Sequence, residues 1–396
     1  MKYIGFLLSF QVIVTVSLMS QITYELKLNT GINYSELSTP KFDVEGDFIY
    51  IYDESFQSFS DSQDEIKIFR RALAGGDSGF IKISIPNFPA MISNPIPLDM
   101  QVSGSNLIIL FNKAFILYDL VRQEVRCIQP QSQSYNYLFE GNSDSIIYFA
   151  KNYNYNKYDQ RIKCMASAYN MRRLKFVSNG NIIPEYAGIG FTHFGVNRWF
   201  AAIDTFVVFA QTLEQQIQFY SRKGELVEIF DLPKDSNEVI SNISLHDSIL
   251  AAHNENAKNL IQLLLPYNKK FERIEKIYSI NDSSLLIFRI PHKVGNKKER
   301  NVDLLVKTGN EFTYKRNFWL DKEPSPVEKL NSSEYPMFSF FSIDIKPEGQ
   351  ALYCLYPDIP MEILGMNYGK VKLKRKAYLM KRIPIYQLVK YDINIK

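Results

Sequence analysis

Between residues 179 and 199 the chain places Tyr186, Phe191, His193, Arg198 and Trp199 among Gly180, Gly188, Gly190 and Gly195. Glycines let a backbone come close to a bound molecule, aromatic rings stack on it, and a guanidinium makes paired hydrogen bonds to its oxygens. That combination suits recognition of a glycan or a peptide. It suits equally an insertion that packs over the end of a sheet, with Trp199 facing the core from a first strand. A second candidate is Asn152-Tyr153-Asn154-Tyr155-Asn156-Lys157-Tyr158. Strand alternation sets Tyr153 and Tyr155 on one face, where rings and interleaved amides could stack on and bond a sugar. An exposed hairpin rich in Tyr and Asn reads the same way.

Metal and nucleophilic chemistry find less support. The four histidines, His193, His246, His253 and His292, and the three cysteines, Cys127, Cys164 and Cys354, fall at spacings that match no zinc motif. No serine nucleophile elbow and no phosphate-cradling glycine loop is present. No cofactor is therefore expected. Three cysteines are too few for a disulfide framework. Buried thiols are the expectation, with a Cys127 to Cys164 bridge as the alternative.

The elements that would position these residues recur. Seven times a small or acidic polar turn, ending at Asp47, Asn106, Ser145, Thr205, Ser248, Ser284 or Gln350, runs into a short apolar strand, at intervals of 36 to 66 residues. Such a unit cannot bury both faces alone, so its repetition points to sheets stacked side by side. Four-stranded propeller blades repeat at roughly 40 to 50 residues, and loop insertions widen that spacing at little cost. Residues 41 to 85 supply four strand-like runs, and residues 98 to 129 and 196 to 232 do so more compactly. With 28 Phe and 25 Tyr, and no amphipathic helix of three turns after the N-terminus, the chain is expected to be all-β.

The predicted fold is a β-propeller of four-stranded blades, with seven blades favoured over six. The two counts divide at 236 to 320, where either Ile274 to Ile280 serves as the first strand of the next blade or two of the seven turns share one blade. The run from Ile22 to Leu28 is expected to complete the last blade and close the ring.

A net charge of +4 from 46 basic and 42 acidic residues gives no global field for a polyanion, which argues against a nucleic-acid partner. Lys370, Lys372, Lys374, Arg375 and Lys376 make one basic strand, read as a solvated edge guarded by charge. Residues 1 to 20 read as an export signal: Lys2 precedes an uncharged apolar stretch from Ile4 to Met19, shorter than the roughly 20 residues of a comfortable membrane span. After cleavage, residues 21 to 396 would form a single exported domain, periplasmic or extracellular, with no transmembrane segment.

The run from Ile217 through Tyr220-Ser221-Arg222-Lys223-Gly224 to Leu226 resembles the third-to-fourth strand hairpin of NHL-type and TolB-like propellers. There an aromatic residue and Asp precede two variable residues and Gly. Here Ser221 stands in place of the Asp, and Tyr118-Asp119 is a second copy without the Gly. The resemblance implies an exported six- to eight-bladed propeller.

In such a fold the loops between blades, and those joining second to third strands, gather on one rim. Tyr153, Tyr155, Tyr186, Phe191, His193, Arg198 and Trp199 are the expected ligand-binding residues there, for a glycan, peptide or protein partner. Turn acids such as Asp47, Asp144, Asp204, Asp247 and Asp282 fall on the opposite rim, in separate blades, and are read as turn formers and not as a calcium site. The reading from another class is a glycan hydrolase or lyase, with an acid and base drawn from Glu185, Asp99, Glu238 and His193. A buried carboxylate of raised pKa at the channel mouth would favour that reading.

Overall fold

The computed structural model describes residues 21–27, 41–53, 65–85, 97–131, 135–141, 145–151, 162–177, 182–186, 198–211, 215–233, 273–290, 301–309, 311–319, 344–348, 351–357 and 385–392. Every regular element among them is a strand, and six four-stranded antiparallel sheets result. Sheet I runs Lys41–Glu45, Phe48–Tyr52, Glu65–Ala72 and Ser78–Ser84. Sheet II runs Asp99–Ser103, Asn106–Leu110, Ala114–Asp119 and Glu124–Pro130. Sheet III is Tyr137–Glu140, Ile146–Lys151, Met165–Asn170 and Lys175–Phe176. Sheet IV is Phe200–Ile203, Phe206–Gln211, Gln216–Tyr220 and Leu226–Asp231. Sheet V is Arg273–Asn281, Ser284–Ile290, Asn301–Thr308 and Glu311–Trp319.

Sheet VI joins the two ends of the chain. Asp344–Glu348, Ala351–Pro357 and Ile385–Asp392 are its first three strands, and the N-terminal Gln21–Lys27 is its fourth. Gln21 faces Tyr391 and Lys27 faces Ile385. The strand expected from Ile22 to Leu28 is Gln21–Lys27, one residue earlier, and it pairs with Ile385–Asp392.

Strand alternation explains how the sheets stack. In sheet I, Tyr50, Tyr52, Ile66 and Ile68 pack against Val102, Leu107 and Tyr118 of sheet II, while Phe42, Val44, Ile49 and Ile51 pack against Tyr353 and Leu355 of sheet VI. Similar apolar seams join II to III, III to IV and IV to V. Sheets I to IV thus each have two buried faces, which is why their inner strands read as continuous apolar runs. The first strand of each sheet lies beside the first strand of the next, in the order I, II, III, IV, V, VI, and that of sheet VI lies beside that of sheet I.

First strands face one another without a full ladder, so some of their backbone N–H groups need other acceptors. Side chains of the preceding sheet supply them. Asp43 Oδ2 accepts from Val102 N at 2.5 Å, Asp99 Oδ2 from Leu138 N at 2.8 Å, and Tyr137 Oη from Trp199 N at 2.9 Å and Phe200 N at 2.8 Å. At the turns, Glu45 Oε1 accepts from Gly104 N at 2.9 Å and Glu348 Oε1 from Gly46 N at 3.3 Å. Between sheets IV and V the backbone does the same work, Arg198 O accepting from Ile277 N at 2.8 Å.

The stretch that divided the two blade counts is resolved in one respect. Arg273–Asn281 pairs with Ser284–Ile290 and opens sheet V. Residues 234–272, where the sequence placed most of a further blade, lie outside the described residues. The basic strand from Lys370 to Lys376 and residues 1–20 lie outside them too. No helix among the described residues is long and apolar enough to cross a membrane.

Turns after the third strands repeat one design. In sheet IV, Ser221 Oγ accepts from Lys223 N and Glu225 N, each at 3.2 Å, and Gly224 takes a φ of 87°. In sheet II, Asp119 Oδ1 accepts from Val121 N at 3.0 Å and Arg122 N at 2.9 Å, and Gln123 takes the left-handed φ of 56°. Those N–H groups, that of Arg122 foremost, hold the Asp119 carboxyl below its ordinary range. In sheet III, Asn170 Oδ1 accepts from Arg173 N at 2.8 Å, with Leu174 at φ 51°. A tyrosine precedes the polar residue each time: Tyr118, Tyr169 and Tyr220.

Cys127 and Cys164 are both free thiols, the commoner of the two expectations. Cys127 Sγ lies 3.6 Å from Tyr169 Oη, and burial pushes the Cys164 thiol well above its ordinary value.

Candidate functional site

The first strands of five sheets, with the turns that follow them, frame a cavity of about 200 Å³. Its wall comes from Gln101 of sheet II, Leu138 to Gly141 of sheet III, Phe200 to Ala202 of sheet IV and Ile277 to Asp282 of sheet V, with Glu348 from sheet VI. Arg198 forms its inner end. Glu140 and Asp282 are exposed and Glu348 is half-buried, so the cavity opens among the turns that join first to second strands. The loop rim favoured from the sequence is the opposite one.

Arg198 is 6% exposed. Its Nη2 donates to both carboxylate oxygens of Asp99, at 3.1 and 3.0 Å, and its Nη1 donates to Leu138 O at 3.0 Å. The guanidinium also lies over the rings of Tyr137 and Tyr278, 5.2 and 5.9 Å from their centroids. One cation thus ties sheets II, III, IV and V together around the cavity floor. Asp99 accepts further from Met100 N at 2.9 Å, and with Arg198 fixed beside it its oxygens are committed to structure. Burial drives the Tyr137 hydroxyl far above its ordinary pKa, so it stays protonated.

Trp199 is 2% exposed and packs with Tyr137, Phe200 and Phe209 in the seam between sheets III and IV. It occupies the packing position weighed in the sequence, facing the core beside a first strand. Tyr186 pairs through its backbone with Ile162 in a two-stranded sheet of Ile162–Lys163 and Glu185–Tyr186. Phe191, His193, Tyr153 and Tyr155 lie outside the described residues, as do Glu238, His246, His253 and His292. Of the three expected ligand residues that are described, Tyr186, Arg198 and Trp199, Arg198 alone lines the cavity.

Sequence reasoning passed over Glu140 and Glu348, yet a signal existed. The pairs Glu45-Gly46, Glu140-Gly141 and Glu348-Gly349 each end a first strand. Glycine is required at two of these turns: Gly46 takes a φ of +55°, and a Cβ on Gly141 would come within 2.9 Å of the Tyr148 ring. The acid before it lines the cavity or reaches the next sheet. Among the described residues no group of three or more His, Cys, Asp or Glu could hold a metal ion.

Desolvation holds the Glu348 carboxyl above its ordinary value near 4.5, partly offset by the hydrogen bond from Gly46 N. Between 4.5 and that raised value, the folded protein keeps a proton that the unfolded chain has released. Stability from this group is therefore highest below the window and falls as pH rises through it. Urea midpoints measured across that window are expected to decline less steeply in Glu348→Gln than in the parent protein. Parallel profiles for the two would show that Glu348 titrates normally.

No protein-family model matches the chain, and no curated protein matches it in sequence. Solved structures do. A Bacteroides fragilis protein named only as a candidate for export matches at 11% identity over 95% of both chains, with a TM-score of 0.47. A DUF4221 family member from Bacteroides vulgatus matches at 10% identity over 96% of this chain and 98% of its own, with a TM-score of 0.49. The hydrazine synthase of Kuenenia stuttgartiensis matches at 10% identity over 90% of this chain and 86% of its own, with a TM-score of 0.43.

Proposed function

We propose that the chain is an exported β-propeller of six blades that serves as a binding or scaffolding module for a peptide or protein partner. Support for six blades comes from the cyclic order of the first strands, with sheet IV bonded directly to sheet V and sheet VI beside sheet I. Support for closure by the N-terminal strand comes from its pairing in sheet VI. The three tyrosine-led turns of sheets II, III and IV support kinship with the NHL and TolB type. Export rests on the apolar stretch from Ile4 to Met19.

The observation that carries the binding reading is the channel mouth. Glu140, Asp282 and Glu348 gather around a cavity whose cation, Arg198, is already neutralised by Asp99. Such a mouth attracts positive charge, and its volume suits one side chain. The partner would insert a lysine or arginine from a loop or terminus. A lysine-bearing peptide is expected to bind the parent protein in a salt-sensitive manner, and at least about tenfold more weakly to the triple variant Glu140→Gln, Asp282→Asn, Glu348→Gln. Equal affinities for the two proteins would remove the mouth as the binding site. Glycan recognition by the opposite rim, through Tyr153, Tyr155, Tyr186, Phe191 and His193, belongs to the same module reading, and alanine at those positions tests it.

A second reading, a propeller enzyme acting on glycans, draws on Glu348. A half-buried carboxyl of raised pKa at a channel mouth is what a general acid requires. Glycan cleavage by the parent protein that Glu348→Gln abolishes would establish it.

A further inference from the structure

The turns between third and fourth strands in sheets II, III and IV share more than their leading tyrosine. They carry Arg122, then Arg172 and Arg173, then Arg222 and Lys223, all exposed. Over residues 119–126, 170–175 and 221–225 seven basic residues stand against three acidic ones, an excess of four that equals the formal charge of the whole chain. The equivalent turn of sheet I, Leu73 to Asp77, carries no cation, and neither does that of sheet V, Thr308 to Glu311. Arg122 has Glu124 at 3.6 Å, with both side chains mostly in solvent, a pairing of little energetic weight. The other four form no ion pair among the described residues. Burial raises the Tyr148 and Tyr169 hydroxyls of sheet III, and Arg222 and Arg126 work against that rise from the sheets on either side. The positive field therefore spans both seams of sheet III and forms one arc.

This arc lies at the same end of the sheets as the acidic channel mouth. Leu120 N donates to Ser105 O and Met171 N to Ser145 O, each at 2.8 Å, so in sheets II and III the third-to-fourth turn sits against the first-to-second turn. In sheet IV the pairing of Ile203 with Phe206 and of Val207 with Tyr220 gives the same arrangement. Sheet III holds both signs: Glu140 ends its first strand and lines the cavity, and Arg172 and Arg173 follow its third strand. Two to three strand spacings separate them, roughly 10 to 15 Å. An extended peptide covers that distance in about three or four residues.

We propose that the partner segment whose lysine or arginine enters the channel mouth carries acidic residues three or four positions away, and that Arg122, Arg172, Arg173, Arg222 and Lys223 hold them. This rests on the binding function proposed above and adds the charge pattern of the partner. A segment of one sign throughout meets repulsion at the mouth or at the arc, so the face selects the order of charges as well as their number. A flat anionic bilayer fits less well, because its headgroups would press against Glu140, Asp282 and Glu348 at the centre of the same face.

Fluorescence anisotropy with three labelled peptides of equal length, each made in both chain directions, tests the assignment. The first has a lysine with two glutamates four residues away, the second the lysine alone, the third the glutamates alone. The first is expected to bind the parent protein at least about fivefold more tightly than the second, with the difference fading as salt is added. In the variant Arg172→Gln, Arg173→Gln, Arg222→Gln, Lys223→Gln, the first two peptides should bind alike, at the strength the parent shows for lysine alone. The hydrogen bonds of these turns come from backbone N–H groups at 173 and 223, so the variant should keep the parent melting temperature. Arg172→Glu, Arg173→Glu should instead prefer a peptide with lysines in place of the glutamates, which a purely structural role for the arginines would not produce. Equal affinity of the parent for the first two peptides would overturn the arc and leave the mouth standing. Equal affinity for the first and third would remove the mouth, and this inference with it. Failure of every peptide to bind, or binding of phosphatidylglycerol vesicles in preference to the peptides, would overturn it as well.

Discussion

Asp99→Ala is expected to lose about 3 to 5 kcal/mol of folding stability, seen as a large drop in the urea midpoint. Asp99 is 1% exposed and holds the Arg198 guanidinium through both oxygens while accepting from Leu138 N and Met100 N. Alanine strips the buried cation of its carboxylate and leaves two backbone donors without that acceptor. The cost of the uncompensated charge dominates, because its desolvation is no longer offset by Coulomb attraction. The double variant Asp99→Ala, Arg198→Met should therefore be more stable than Asp99→Ala alone. If the double variant were the less stable of the two, the buried charge would not be the source of the loss.

The second large effect is expected in sheet V. Arg289 and Asp303 form an ion pair in which neither side chain has any exposed surface, and Tyr314 Oη donates to Asp303 Oδ2 at 2.5 Å. Asp303 sits opposite Ile287 on the neighbouring strand, and Arg289 is two residues further along that strand. Asp303→Ala should again cost about 3 to 5 kcal/mol. Its signature should differ from that of Asp99→Ala: the pair lies within one sheet, whereas Arg198 spans four. Hydrogen exchange should accelerate first in residues 273–319 for Asp303→Ala, and in the first strands of sheets II, III and IV for Asp99→Ala. Uniform acceleration in both would mean that the sheets open only together.

Much of the fold was legible because each strand is short, apolar and bounded by turn formers. The second unit was expected at Leu98 to Val102, Leu107 to Phe111, Ala114 to Asp119 and Glu124 to Ile128, and its strands are Asp99–Ser103, Asn106–Leu110, Ala114–Asp119 and Glu124–Pro130. Period-two alternation places such strands, since a one-residue slip would turn every side chain to the wrong face. The site was less legible. Arg198 and Trp199 looked like ligand residues because composition does not say which way a side chain points. Asp99 looked like a candidate acid, and its partner lies 99 residues away. Long-range pairing and vacant space are properties of the assembled seams, which a local reading does not contain.

Among the described residues, the side-chain acceptors that serve backbone N–H groups of a neighbouring sheet's first strand or turn all point one way. Asp43 and Glu45 reach to sheet II, Asp99 to sheet III, Tyr137 to sheet IV, and Glu348 returns to sheet I. In each joint but the last, the acceptor precedes its donor along the polypeptide. A chain emerging from the ribosome, or threading head-first through an export pore, thus presents each fastening before the piece it fastens. Gln21–Lys27 inverts that order: made early, it must wait for Ile385–Asp392, the last of the described strands. That sheet is therefore complete only after every other described strand has been made.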